Sequence, residues 1–202
     1  MKRFSRLLML TTLSLTTALG AAAVPLDYDE ALLGDLSSDT NAPTPVFFDV
    51  GANVVTGTTG QPLTGLYDND VITFTLAPGQ TLTRIDLLAY QPVGVNGTGS
   101  FMAIGAGAQI DKFNAAAHLG DALVSALGDV LPLLAAGTIY GAPGFTTPLG
   151  PGTYTWWFSE ASTTIAYSVS FEVVPEPSTG LLVAAGLATL AARRRARQGL
   201  RA

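Results

Sequence analysis

Residues 152–174 read GTYTWWFSEASTTIAYSVSFEVV, and the second half of that stretch decides the fold. Ile165, Tyr167, Val169, Phe171 and Val173 fall on one side of an extended chain, and Ala166, Ser168, Ser170 and Glu172 on the other. A period of two is that of a strand with one face in a core and one toward water. In the strand before it, the neighbours Trp156 and Trp157 must point to opposite faces, which places one in the core and leaves the other more exposed.

Working outward, the same chemistry recurs. DVITFTLAPGQTLTRIDLLAY, residues 70–90, alternates Ile72, Phe74 and Leu76 with Val71, Thr73 and Thr75. It turns at Pro78-Gly79 and returns from Leu82 to Tyr90, which predicts a hairpin. PVFFDVGANVVTGTTG (45–60) sets β-branched and aromatic residues between Gly and Asn, and SFMAIGAGAQI (100–110) is a further strand whose small residues admit a close neighbour. Short strands between Gly, Pro and Asn turns predict an all-β sandwich or barrel. Residues 111–136 are the exception. Leu119, Leu123, Leu127, Val130, Leu131 and Leu134 recur at helical spacing, interrupted by Gly120, Gly128 and Pro132. They predict a short helix or two turns crossing between the sheets, with a mobile lid as the alternative.

The termini are of a different character. Lys2, Arg3 and Arg6 precede an apolar run from Leu7 to Leu19, then Ala21 and Ala23 at the spacing that signal peptidase accepts. This is the order of a secretory signal peptide, residues 1–23, cleaved after Ala23. Of the ten Lys and Arg, only Arg84 and Lys112 lie between residues 24 and 173, against fourteen acids, a formal charge of −12. So acidic a passenger repels phosphate backbones, which sets nucleic acid aside and matches a solvated exported surface. Cysteine is absent, so disulfides, thiol catalysis and thiolate metal sites are excluded. About 150 residues remain for the passenger, the size of one domain.

FFDVGANVVTGTTG, DNDVITFTLAPGQTLTRIDLLAY, GTYTWWF and TIAYSVSFEVV together resemble the bacterial pre-peptidase C-terminal domain and related jelly-roll modules. A Gly-x-Asn turn precedes a strand, an Asp precedes a Thr-Phe-Thr strand, and a Gly-x-Tyr enters a late strand. The resemblance implies a β-sandwich of jelly-roll type for residues 24–173 and a non-catalytic accessory role.

Residue chemistry agrees with the absence of an enzyme. His118 is the only histidine, and it stands between Ala117 and Leu119 with no G-x-S-x-G in the chain. A histidine triad would have to run through it, and HExxH zinc chemistry is impossible with one histidine. The acids Asp27, Asp29, Glu30 and Asp68, Asp70 read as solvated turn residues rather than a glycosidase pair. Asp68, Asn69 and Asp70 within one turn are candidate ligands for Ca²⁺, the cofactor these oxygens suit, although three residues are only part of a site. Turn punctuation, which Asp and Asn favour, is the simpler account of them. Trp156 and Trp157 are candidate stacking faces for a polysaccharide ring, with core packing as the alternative.

The end of the chain reads VPEPSTGLLVAAGLATLAARRRARQ over residues 174–198. Pro175 and Pro177 remove backbone donors and end a strand. Residues 180–192 run without charge, about 20 Å as a helix, short of the roughly 20 residues a stable span prefers. Arg193, Arg194, Arg195 and Arg197 follow as a membrane stop and predict a cytoplasmic C-terminus. A Pro-Glu-Pro motif, a short transmembrane helix and an arginine cluster, over residues 174–202, resemble the PEP-CTERM sorting signal of Gram-negative, biofilm-forming bacteria. That resemblance implies recognition of Pro175, Glu176 and Pro177 by exosortase, a membrane-embedded cysteine protease or transpeptidase. It also implies transient residence in the inner membrane and release to the cell surface or extracellular matrix. The sequence thus points to an exported structural or adhesive matrix protein, with a carbohydrate- or calcium-binding accessory module as the alternative and an unrecognised hydrolase third.

Overall fold

A computed structural model describes residues 24–60, 67–93, 99–137, 139–176 and 185–190. Two five-stranded sheets face each other. Their strands are β1 (Asp27–Asp29), β2 (Thr44–Pro45), β3 (Gly51–Gly60), β4 (Asn69–Leu76), β5 (Gln80–Val93), β6 (Ser100–Ala106), β7 (Gly120–Val124), β8 (Gly128–Asp129), β9 (Gly152–Ser159) and β10 (Thr164–Pro175). The first sheet has the order β1-β3-β10-β5-β8 and the second β2-β4-β9-β6-β7. β1 and β2 run parallel to β3 and β4, and every other pairing is antiparallel. Two short helices, α1 (Glu30–Leu33) and α2 (Leu131–Ala136), lie among them.

The alternation at 164–175 becomes the central strand of the first sheet. Ile165, Val169, Phe171 and Val173 are fully buried, and Tyr167 is nearly so. They meet Trp156 and Phe158 of β9 and Phe74 of β4 across the interior: Trp156 stands edge-on to Phe171 at 5.5 Å and Phe158 edge-on to Tyr167 at 4.8 Å. Burying such side chains contributes roughly 1.5–3 kcal/mol each, so this aromatic layer is the main source of cohesion between the sheets. The second sheet is also covered on its outer side, where Val71, Ala103 and Ile110 form a small cluster with Phe101 and Trp157.

Two sequence expectations are corrected. The predicted hairpin over 70–90 is a corner between sheets. β4 pairs with β9 and β2, β5 pairs with β10 and β8, and the two strands share no ladder. The turn itself forms as read, with Gly79 at φ +83° and Gln80 N–H donating to Ala77 O at 3.0 Å. Local turn chemistry is the same for a hairpin and a corner. The difference lies in the apolar faces: Ile72, Phe74 and Leu76 must meet Leu82, Ile85 and Leu87 across the core. The register shift opposite Glu172/Val173, where Thr83 is the extra residue, brings those three β5 residues inward although their spacing is not strictly two.

The helical reading of 111–136 holds only at its end. Ala115–Ala117 make a single 3-10 turn, residues 120–124 become β7 on the edge of β6, and only Leu131–Ala136 are α-helical. Ala122 and Val124 face the core while Leu123 and Leu127 are exposed, so the apparent leucine stripe is divided between β7, α2 and the connections beside them. Two of the interruptions do the dividing. Gly128 takes φ +116°, a left-handed conformation that favours glycine. At Gly120 a Cβ would run into the Leu134 carbonyl, so only glycine lets α2 pack over β7.

Candidate functional site

The densest chemistry lies at the end of the sandwich where β4 begins. Asp29 caps α1, its Oδ1 accepting from Ala31 N–H at 2.9 Å, and this fixes Glu30 at the first helical position. The Glu30 carboxylate reaches back over β3, accepting from Leu36 N–H at 3.0 Å and Thr58 N–H at 2.8 Å. Gly57 makes room for it, since a Cβ there would occupy the place of the carboxylate. After α1 the chain turns at Gly34, presents Asp35 to solvent and bridges to β4 through Val71 N–H and Ser37 O at 3.0 Å. One carboxylate oxygen from each of Glu30, Asp35 and Asp70 lies within 4.8 Å of the others.

Asp70 is the unusual member. It sits on the inward face of β4, fully buried, and neither of its oxygens has a hydrogen-bond partner. Burial, and then the neighbouring Glu30 carboxylate, push its carboxyl up to about 10. The Tyr167 hydroxyl acts on it electrostatically but does not meet hydrogen-bond geometry and is itself without a partner. Burial likewise raises Glu30 and Asp68, and it raises Tyr167 well above the ordinary phenol value. The passenger's two cations are engaged elsewhere: Arg84 forks onto Asp86, and Lys112 lies 5.2 Å over the Phe113 ring.

Of the three ligands proposed within one turn, only Asp70 joins this cluster. Asp68 accepts from Ser38 Oγ at 3.0 Å, and Asn69 Oδ1 accepts from Trp157 Nε1 at 3.4 Å on the opposite face of the strand. Glu30 and Asp35, absent from the proposed set, lie some forty positions upstream, and no local spacing relates them to Asp70. Trp156 is fully buried and therefore unavailable to a sugar ring, which corrects its assignment as a stacking face. Trp157 is on the outer face, edge-on to Phe101 at 4.8 Å, beside a cavity of about 370 Å³ that Tyr140, Phe113 and His118 also line. His118 is buried there, its Nε2 on Asp111 O at 2.9 Å and its Nδ1 3.7 Å from Asp121 Oδ2. That fixes the ring inside the loop that covers the second sheet.

At the other end, β10 runs past Val174 into Pro175, which pairs with Gln80, and Glu176 N–H donates to Gly79 O at 2.7 Å. The first two residues of the Pro-Glu-Pro motif are thus held by the sandwich. Residues 173–195 match the PEP-CTERM protein-sorting motif. The motif implies an exported protein that exosortase processes, sorted in association with the membrane. Its remaining proposed elements, Pro177 and Arg193, Arg194, Arg195 and Arg197, lie outside the described residues, as do Ala21 and Ala23 of the signal peptide. Of the segment 180–192, residues 185–190 are helical and the others are outside the description; no described helix is long and apolar enough to cross a membrane. No curated protein matches the chain. Among solved structures it is similar to the pre-peptidase C-terminal domain of a collagenase from Bacillus anthracis, at 11% identity and a TM-score of 0.35, over 65% of this chain and 93% of that one. The sorting motif therefore carries the assignment, and a likeness this loose adds nothing to it.

Proposed function

We propose that the chain is the precursor of a matrix or biofilm protein with a structural or adhesive, non-catalytic role. Residues 1–23 direct export, residues 24–173 form the passenger, and residues 174–202 are the tail through which exosortase releases it at the cell surface. The strand order supports a jelly roll, in which eight strands from β3 to β10 are shared between two sheets with non-sequential neighbours. The carrying observation is the direct passage of β10 into Pro175 and Glu176, which puts a folded, acidic body against its sorting motif with no linker between.

The test is fractionation in a host that has exosortase. Changing Pro175, Glu176 and Pro177 together to Ala leaves hydrophobicity and the arginines intact, so insertion continues. Tail-bearing precursor should then accumulate in the inner membrane while wild type reaches the surface. Equal retention of both proteins with their tails attached would show a plain anchor.

A second reading, a carbohydrate-binding accessory module, is favoured by one feature: the open aromatic cleft of Trp157, Phe101 and Tyr140, with Phe113 88% exposed at its rim. Saturable binding of a matrix polysaccharide, lost in Trp157→Ala, would establish it; the absence of binding would leave the structural role.

A further inference from the structure

We propose that Glu30, Asp35 and Asp70 form a divalent-cation site, and that its ion is calcium. The sorting of the protein does not enter the argument. Three carboxylates from two separate stretches converge to within 4.8 Å, and two of them are drawn out of bulk water. A structural acid in such a place is ordinarily matched by Lys, Arg or hydrogen-bond donors. Here Asp70 is fully buried with both oxygens free, and the buried Tyr167 hydroxyl facing it is free as well. Neither passenger cation is near enough to serve. A divalent cation would supply the charge that balances this cluster.

Donor chemistry selects the ion. All three groups are carboxylates, with neither imidazole nor thiolate, and such hard oxygen sets suit calcium or magnesium rather than zinc. Glu30 keeps lone pairs beyond the two backbone N–H bonds that orient it, and Asp70 offers both oxygens. Exposed Asp35 lines a cavity of about 420 Å³ together with Glu30 and Tyr167, so an ion with its waters reaches those two carboxylates from solvent, with Asp70 behind them. Calcium accepts six to eight ligands of irregular geometry, whereas magnesium requires a near-ideal octahedron that three carboxylates from α1, the following turn and β4 do not present.

Binding would tie α1 and Asp35 to the second sheet, adding to the Ser37–Val71 bridge and the Ser38 hydrogen bonds to Asp68 and Asn69 that hold the following turn against β4.

The test is calorimetric titration of CaCl₂ into the purified full chain in mild detergent after chelation, together with thermal melting. One saturable site is expected, with Kd on the order of 10⁻⁴–10⁻³ M as in other extracellular modules. The melting temperature should rise with calcium. Asp35 is exposed, so D35N should melt like wild type without calcium yet bind at least tenfold more weakly; D70N should lose the site. Magnesium should bind at least tenfold more weakly than calcium. No saturable heat and no melting shift at millimolar calcium would overturn the proposal. So would wild-type affinity in both variants, or a preference for magnesium.

Discussion

Replacing Asp70 with Asn should stabilise the calcium-free protein, the reverse of the usual effect of altering a buried polar residue. Asp70 ionises near 10 in the folded chain against a reference value of 3.8. A carboxyl with a raised folded value contributes its full stability below about pH 4 and loses it as pH rises toward 10, because the unfolded chain ionises while the folded one keeps its proton. At pH 7 the gap is about three pH units, or at about 1.4 kcal/mol each roughly 4 kcal/mol, as an upper figure before the site relaxes. At pH 5 it is roughly 1.5 kcal/mol. An amide carries no such cost and can donate to Glu30 where Asp70 must hold a proton. Urea denaturation with EDTA at pH 5, 6, 7 and 8 should show wild type weakening by about 2–3 kcal/mol from pH 5 to 7, with a much shallower slope in D70N. Glu30 and Asp68, also raised by burial, leave a residual slope of the same sign. A D70N protein less stable than wild type at pH 8, or one with an unchanged slope, would show that Asp70 does not carry this cost.

Phe171→Asp should abolish folding, because a charge placed among Phe48, Phe74 and Trp156 costs several kcal/mol, comparable to a domain's whole stability; circular dichroism with a normal β signature and melting would contradict the packing. Gly57→Ala should cost about 1–2 kcal/mol by displacing the Glu30 carboxylate from its two backbone donors, read by urea denaturation, and should weaken calcium binding in parallel. Mass spectrometry of protein recovered outside the cytoplasm should show a chain beginning at Val24, and an intact Met1 there would exclude the cleavage after Ala23.

Much of this molecule was legible in one dimension. A strand's two faces are set by residue parity alone, so the burial of Ile165 through Val173 and the opposed placement of Trp156 and Trp157 followed directly from the order of residues. The sorting tail was legible for a related reason: a motif that an enzyme and a membrane read as a linear peptide keeps its spacing in the sequence. Where partners are chosen by the fold, the sequence was silent. Pro78-Gly79 turns the chain equally well within a sheet or between sheets, and only the demand that two apolar faces meet across a core separates β4 from β5. The leucines of 111–136 show a helical period, yet the open edge of β6 recruits residues 120–124 as a strand. The acid cluster is the sharpest case. Asp68, Asn69 and Asp70 are adjacent in sequence, but a pleated strand sends Asn69 to the opposite face from its neighbours, while Glu30 and Asp35 reach Asp70 only because α1 folds back over β3. Proximity along the chain is local and cheap to read; convergence of charges across it is a property of the packed sheets alone.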